Sequence, residues 1–174
     1  MLIAETDRLA LRHFIAGDAT AMKAVFCDPG VMRYGDGVRT PEWVRTWIAA
    51  MIDTCYPNWG FGMWAVLEKA TREVIGYAGL SRFPDRYRTD EAELGFRLAR
   101  FHWGRGHATE AAAAIRDHGL RTLRLPRIVA IIDPDNLAAV RVAEKIGMRC
   151  EREIMLAGYT RPDRLYVIPR PTAP

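Results

Sequence analysis

From Glu93 to Glu110 the chain reads Glu-Leu-Gly-Phe-Arg-Leu-Ala-Arg-Phe-His-Trp-Gly-Arg-Gly-His-Ala-Thr-Glu. A strand-like run leads into a turn with two glycines, and the turn opens an alanine-rich helical pattern. Gly104 and Gly106 have no Cβ, so the backbone can turn sharply there and a ligand can come close to it. The first amides of a helix have no partner within the helix, and the helix dipole adds positive potential at that end. Such a turn binds phosphate. Two other phosphate loops do not fit. A Walker A loop needs G-x-x-x-x-G-K-[ST], which is absent, and a dinucleotide loop needs a third small residue where Thr109 stands. The turn also follows antiparallel strands instead of opening a first β-α-β unit. A glycine pair before a helix is often only a tight turn, so these residues alone leave both readings open.

The elements that must position this turn follow from periodicity and breakers. Arg8–Phe14 alternates as a strand, and Asp18 is placed to cap a helix running to Phe26 and ended by Asp28-Pro29-Gly30. Pro41 and Glu42 suit the first turn of a second helix, to about Thr54. Met63–Leu67 and Val74–Leu80 form a hairpin, and Ala92–Leu98 is a further strand. Gly104–Thr122 reads as a long helix, Arg127–Ile132 as a buried strand, and Asn136–Ile146 as a helix with Gly147 at its C′ position. Met148–Leu156 and Arg164–Ile168 close the chain as strands. This order predicts an α/β (α+β) fold with a mixed, mostly antiparallel sheet of about seven strands and about four helices. Residues 1–168 are expected to form one domain, and 169–174 a Pro-rich tail.

Trp103-Gly-Arg-Gly-His-Ala108 resembles the pyrophosphate loop of the GNAT acetyltransferases, [QR]-x-x-G-x-[GA], with Gly106 and Ala108 at the last two marked positions. Trp103 in place of the usual Gln or Arg is similar to the RimJ/RimL branch. Asn136–Met148 resembles the family's N-x-x-S-x-x-x-x-E-K-x-G-[FM] helix, and Thr6–Arg12 the branch's T-x-R-L-x-L-R opening. Asp163–Tyr166 is similar to its final D-x-x-x strand segment. The resemblance spans nearly the whole chain in the right order.

The resemblance implies a splayed parallel strand pair, Glu93–Leu98 and Arg127–Ile132, with acetyl-CoA bound between them. Its pantetheine arm would pair near Phe96, Arg97 and Leu98. Its diphosphate would lie on the turn of Trp103, Gly104, Arg105, Gly106, His107, Ala108 and Thr109. The implied reaction is direct acetyl transfer to a primary amine, of a protein N-terminus or a small molecule. An α-amino group has a pKa near 8 and lysine near 10.4, so only a weak base is needed for the former at neutral pH. The family places such a carboxylate where Glu93 stands. Asn136 is a favoured helix cap in its own right, and in the family it also reaches cofactor or substrate. The family's serine is Ala139 here, which cannot protonate a thiolate. A tyrosine takes that role in other members, and Tyr166 and Tyr159 are the candidates, Tyr166 being preferred. A thiolate with a pKa near 8.5 can also leave unaided.

Composition bounds the alternatives. The chain has 174 residues, 49% of them hydrophobic and 26% charged, which suits one globular domain. No apolar run is long enough to cross a membrane, and the N-terminus does not read as a signal peptide, so a cytoplasmic location is expected. Cys27, Cys55 and Cys150 suggest neither a disulfide framework nor a zinc site, and His13, His102, His107 and His118 have no metal-ligand spacing. Ser81, the only serine, lacks a G-x-S-x-G context for serine hydrolysis. The net charge of +4 is spread along the chain, which disfavours a nucleic-acid partner; the best basic stretch is Arg82–Arg88. Trp43, Trp47, Trp59 and Trp64 would line an acceptor pocket or pack the core. A homodimer is compatible with the sequence. The competing function is a non-catalytic CoA or acyl-CoA sensor that kept the loop and lost turnover, and Ala139 is the feature that favours it.

Overall fold

The computed structural model describes residues 1–82 and 91–171. Most of the basic stretch 82–88 and the last three residues of the Pro-rich tail therefore lie outside the described residues. Among the described residues, eight strands form one sheet: β1 Leu2–Glu5, β2 Leu9–Arg12, β3 Met63–Glu68, β4 Val74–Arg82, β5 Ala92–Leu98, β6 Arg127–Ile132, β7 Arg149–Ile154 and β8 Asp163–Pro169. Their spatial order is β1-β2-β3-β4-β5-β6-β8-β7. Every neighbouring pair is antiparallel except β5 and β6. The sequence predicts about seven strands. The eighth, β1, is four residues long with both ends exposed, too short to display an alternating period.

Helices cover both faces. On one lie α1 Ala19–Phe26 and α2 Pro41–Ala50, the latter continuing through a π-turn at Met51–Cys55 and a last turn at Tyr56–Trp59. On the other lie α3 His107–Asp117, extended by a π-turn at His118–Thr122, and α4 Leu137–Lys145. The sheet thus separates two cores. The larger joins Leu94, Leu98, Ala111, Ala112, Ile115 and Tyr166, while the smaller joins Phe14, Phe26, Val44, Ile48 and Tyr77. Alternation along β4 and β5 sends neighbouring side chains to opposite cores.

Two local expectations change. Asp18 does not cap α1 with its side chain. It instead accepts from the Ile15 amide at 2.9 Å and from both Nη atoms of Arg12 at 2.7 and 2.8 Å. A buried carboxylate facing a guanidinium gains more from that bidentate pair than from one amide. The helix predicted from Gly104 begins only at His107, because Gly104 (φ +73°) and Gly106 (φ +81°) are left-handed. Other boundaries agree within a few residues. Gly147 (φ +87°) ends α4, with its amide on the Glu144 carbonyl at 3.0 Å and the Met148 amide on Ala143 at 2.9 Å.

The tryptophans do not share one pocket. Trp43 and Trp47 pack against the smaller core and stack at 6.2 Å, with Phe26 edge-on to both. Trp64 is fully buried in the larger core, and Trp59 is exposed on the surface. Cys27, Cys55 and Cys150 are free thiols, buried to different degrees. No helix among the described residues is long and apolar enough to cross a membrane.

Candidate active site

β5 and β6 pair only at Ala92–Ile128 and Glu93–Val129. Beyond those two positions the facing edges part, from Leu94 to Leu98 on one side and Ala130 to Ile132 on the other. The outer edges stay fully paired, β5 with β4 and β6 with β8. The sheet therefore splits from inside, and the split exposes backbone that would otherwise need partners.

The glycine turn stands at the foot of this split. Trp103 donates its indole N–H to the Leu98 carbonyl at 2.7 Å, which ties the turn to the end of β5. The first helical bond of α3 runs from the Glu110 amide to the Gly106 carbonyl. The amides of Arg105–Thr109 have no acceptor among the described residues. A side chain built on Gly104 would meet open space, so the positive φ, not crowding, calls for glycine there. Arg105 and Trp103 are exposed, Ala108 and Thr109 half-buried, and His107 is buried. Five unpartnered donors at a helix start, on a turn whose Arg105 and Gly106 are exposed, fit a diphosphate.

The turn is anchored from behind by residues that the sequence did not single out for a role. Glu110 accepts from the Thr6 hydroxyl, from the Arg8 amide at 3.0 Å and from Arg8 Nε at 2.7 Å. Arg8 Nη1 also donates to the Arg105 carbonyl at 2.8 Å. Burial pushes the Glu110 carboxyl up, but these hydrogen bonds outweigh it and hold the group below its ordinary range. The signal was present: Thr6 and Arg8 are two of the marked residues of the opening motif. Only the fold shows that both serve Glu110.

Glu93 occupies the last paired position before the split. On β5, Ala92, Leu94 and Leu98 point into the larger core. By alternation Glu93, Gly95 and Arg97 face the α1–α2 side. Arg97 donates to the Tyr77 hydroxyl at 2.8 Å and lies beside Gly35. Its side chain therefore faces away from the turn, and only its backbone borders the split. Burial raises the Tyr77 hydroxyl pKa, Arg97 opposes this, and the charges of Glu93 and Asp36 add to it. Phe96 packs on the larger core.

Asn136 caps α4, accepting the Ala139 amide at 3.2 Å. Tyr166 on β8 lies opposite Ala130, in the part of β6 that borders the split, and is buried. Its hydroxyl bonds to no described residue. Tyr159 is exposed on the β7–β8 loop and its hydroxyl reaches Asp36 at 3.4 Å. Arg161 in the same loop grips Asp133 and Asp135 at 2.6–2.8 Å, before α4. The predicted site residues thus gather around one split: Glu93 and the Arg97 side chain on the α1–α2 side, the turn below, and Tyr166 and Asn136 on the β6–β8 side. His102 and His107 come together with Glu68 at the back of the turn, and burial, with Arg8 nearby, holds His107 below its ordinary pKa.

Residues 8–149 match the Acetyltransferase (GNAT) domain family. The chain is 36% identical over 159 residues to the uncharacterized protein YkkB of Bacillus subtilis, covering 86% of each. It is 34% identical over 152 residues to the uncharacterized N-acetyltransferase YoaA of the same organism, covering 86% of this chain and 84% of that one. A GNAT-family acetyltransferase from Bacillus anthracis superposes with a TM-score of 0.81 at 27% identity, over 98% of this chain and 99% of that one. RimL, a ribosomal-protein α-N-acetyltransferase solved with coenzyme A, shares the fold with a TM-score of 0.80 at 19% identity, over 97% and 98% of the two chains. The chain belongs to the GNAT family of N-acetyltransferases.

Proposed function

We propose that this enzyme transfers acetyl from acetyl-CoA to a primary amine, on a protein N-terminus or a small molecule. The observation that carries the reading is the split between β5 and β6, with unpartnered amides of a glycine turn at its foot. The amides of Arg105–Thr109 would hold the diphosphate, with Arg105 and Thr109 adding side-chain contacts from the surface. The free edge near Phe96–Leu98 would pair with the pantetheine amides, less the Leu98 carbonyl, which Trp103 already uses. Acetyl-CoA supplies a thioester carbonyl open to attack.

The acceptor would enter from the α1–α2 side. Glu93 and Asp36 add negative potential there, which attracts an ammonium ion. Attack needs the neutral amine, so Glu93 would accept its proton, directly or through water. Tyr166, whose hydroxyl on the β6 side bonds to no described residue, suits the leaving thiolate better than Tyr159, whose hydroxyl serves Asp36. Asn136 fixes the start of α4 beside the split and keeps its amide hydrogens for a ligand.

The test is calorimetry with CoA, acetyl-CoA and pantetheine lacking the phosphates, followed by turnover on a panel of N-terminal peptides and small amines. CoA and acetyl-CoA should bind at least tenfold more tightly than pantetheine, and at least one amine should be acetylated. Equal affinity for all three ligands overturns the assignment of the turn. Tight binding with no amine consumed overturns the transfer and leaves an acyl-CoA sensor.

A further inference from the structure

Behind the glycine turn, three side chains from distant parts of the chain converge. Glu68 ends β3, His102 lies in the 3-10 turn after β5, and His107 is the first residue of α3. One ligand atom from each lies within 4.8 Å of the other two. His107 Nε2 and Glu68 Oε1 are 3.8 Å apart, beyond hydrogen-bond range. The place is enclosed: His107 is 3% exposed and the Glu68 side chain 17%. The Nδ1 atoms of both histidines are buried without a hydrogen-bond partner among the described residues. His107 turns Nε2 toward Glu68, and no hydrogen bond among the described residues fixes either imidazole, so a ring nitrogen of each is free to meet an ion. Among the described residues, no side-chain cation takes that place. Arg8 is committed to Glu110 and the Arg105 carbonyl, and Lys69 to the Thr6 carbonyl and Glu5. Meanwhile the Thr71 hydroxyl holds the other Glu68 oxygen at 3.2 Å, as a supporting group orients a metal-binding carboxylate.

We propose that Glu68, His102 and His107 form a binding site for one divalent transition-metal ion of the zinc class. Two imidazoles and one carboxylate are borderline donors. They suit Zn²⁺, Co²⁺ or Ni²⁺ better than Mg²⁺ or Ca²⁺, which prefer all-oxygen shells. Zinc bonds of about 2.0–2.2 Å in a tetrahedron set ligand atoms roughly 3.3 Å apart. From the observed spacing the three side chains would have to draw together on binding. Three protein ligands leave a fourth position for water. The ion would tie the end of β3 to the first residue of α3 and brace the turn from behind.

The test uses the full chain with Cys150→Ser, so that the exposed thiol contributes nothing, after stripping with a chelator. Zn²⁺ is titrated in competition with a chromophoric chelator, and Co²⁺ is added separately to read the visible spectrum. The parent should take up one Zn²⁺ per chain, gain thermal stability from it, and show the strong visible bands of tetrahedral Co²⁺ with nitrogen and oxygen ligands. Glu68→Gln and His102→Gln should each bind Zn²⁺ at least tenfold more weakly while circular dichroism stays native. If either variant fails to fold, the parent's stoichiometry and Co²⁺ spectrum decide alone. The proposal falls if the parent binds no Zn²⁺, if its Co²⁺ spectrum is octahedral, or if folded variants bind as tightly as the parent. No CoA is present in these titrations, so the outcome is independent of the acetyl-CoA reading.

Discussion

At Glu93 the sheet stops being continuous, and this gives a strand carboxylate its chemical opportunity. Its backbone makes the last pairing with β6, while its side chain falls on the face away from the glycine turn. A group so placed can meet an acceptor without touching the nucleotide. Glu93→Gln is therefore expected to lower kcat with little change in the acetyl-CoA KM. A general base contributes about 10²–10⁴-fold, and a partly neutral amine puts this case at the low end. The defect should shrink as pH rises, because more of the amine is then already neutral. Steady-state kinetics across pH checks this. Wild-type rates at every pH would remove Glu93 from the mechanism, and an equal loss at every pH would make it a positioning residue.

At the scale of the element, the turn and α3 behave as one unit. Gly106 is its hinge: φ is +81°, and a Cβ there would lie 3.3 Å from Arg8 Nη2. The Glu110 cluster holds the helix start to the β1–β2 loop, so the turn cannot move to accommodate a branched side chain at no cost. Gly106→Val should lose about 1–3 kcal/mol through backbone strain yet remain folded. CoA affinity should fall at least tenfold, because relief of the left-handed strain would shift the amides proposed to hold the diphosphate. Denaturant melts and calorimetry on the same sample measure both effects. Unchanged CoA affinity in a folded variant would show that phosphate does not approach this turn.

The whole molecule has a sheet joined at its centre by two residue pairs. β1–β5 on one side and β6–β8 on the other are otherwise held together by helices and by the larger core. A ligand that pairs with both inner edges should link these halves. At about a hundredfold above its Kd, CoA should add about 2.7 kcal/mol of stability. For a chain of this size that is roughly 5–10 °C in Tm. Hydrogen exchange should slow at residues 94–98 and 130–132. A Tm rise with protection confined to other regions would move the ligand elsewhere.

Local patterns carried much of this. The alternation of Ala92–Leu98, the glycines at 104 and 106, the helix from Asn136 and its stop at Gly147 depend on neighbours within a few residues, where period and backbone sterics act directly. The motif resemblance likewise points to a splayed pair, because its marked residues lie in contiguous runs. What the tertiary structure alone decided concerns partners that no local period links. Asp18 belongs to Arg12, not to α1, because strand β2 brings the guanidinium to it. Thr6 and Arg8 serve Glu110 because β2 runs beneath α3. Glu68, His102 and His107 meet although they follow no ligand spacing. Two tryptophans one turn apart pack in a core that only the covering of the sheet creates. Such meetings depend on strand order and register, which sum interactions over the whole chain and leave no period in any short stretch of it.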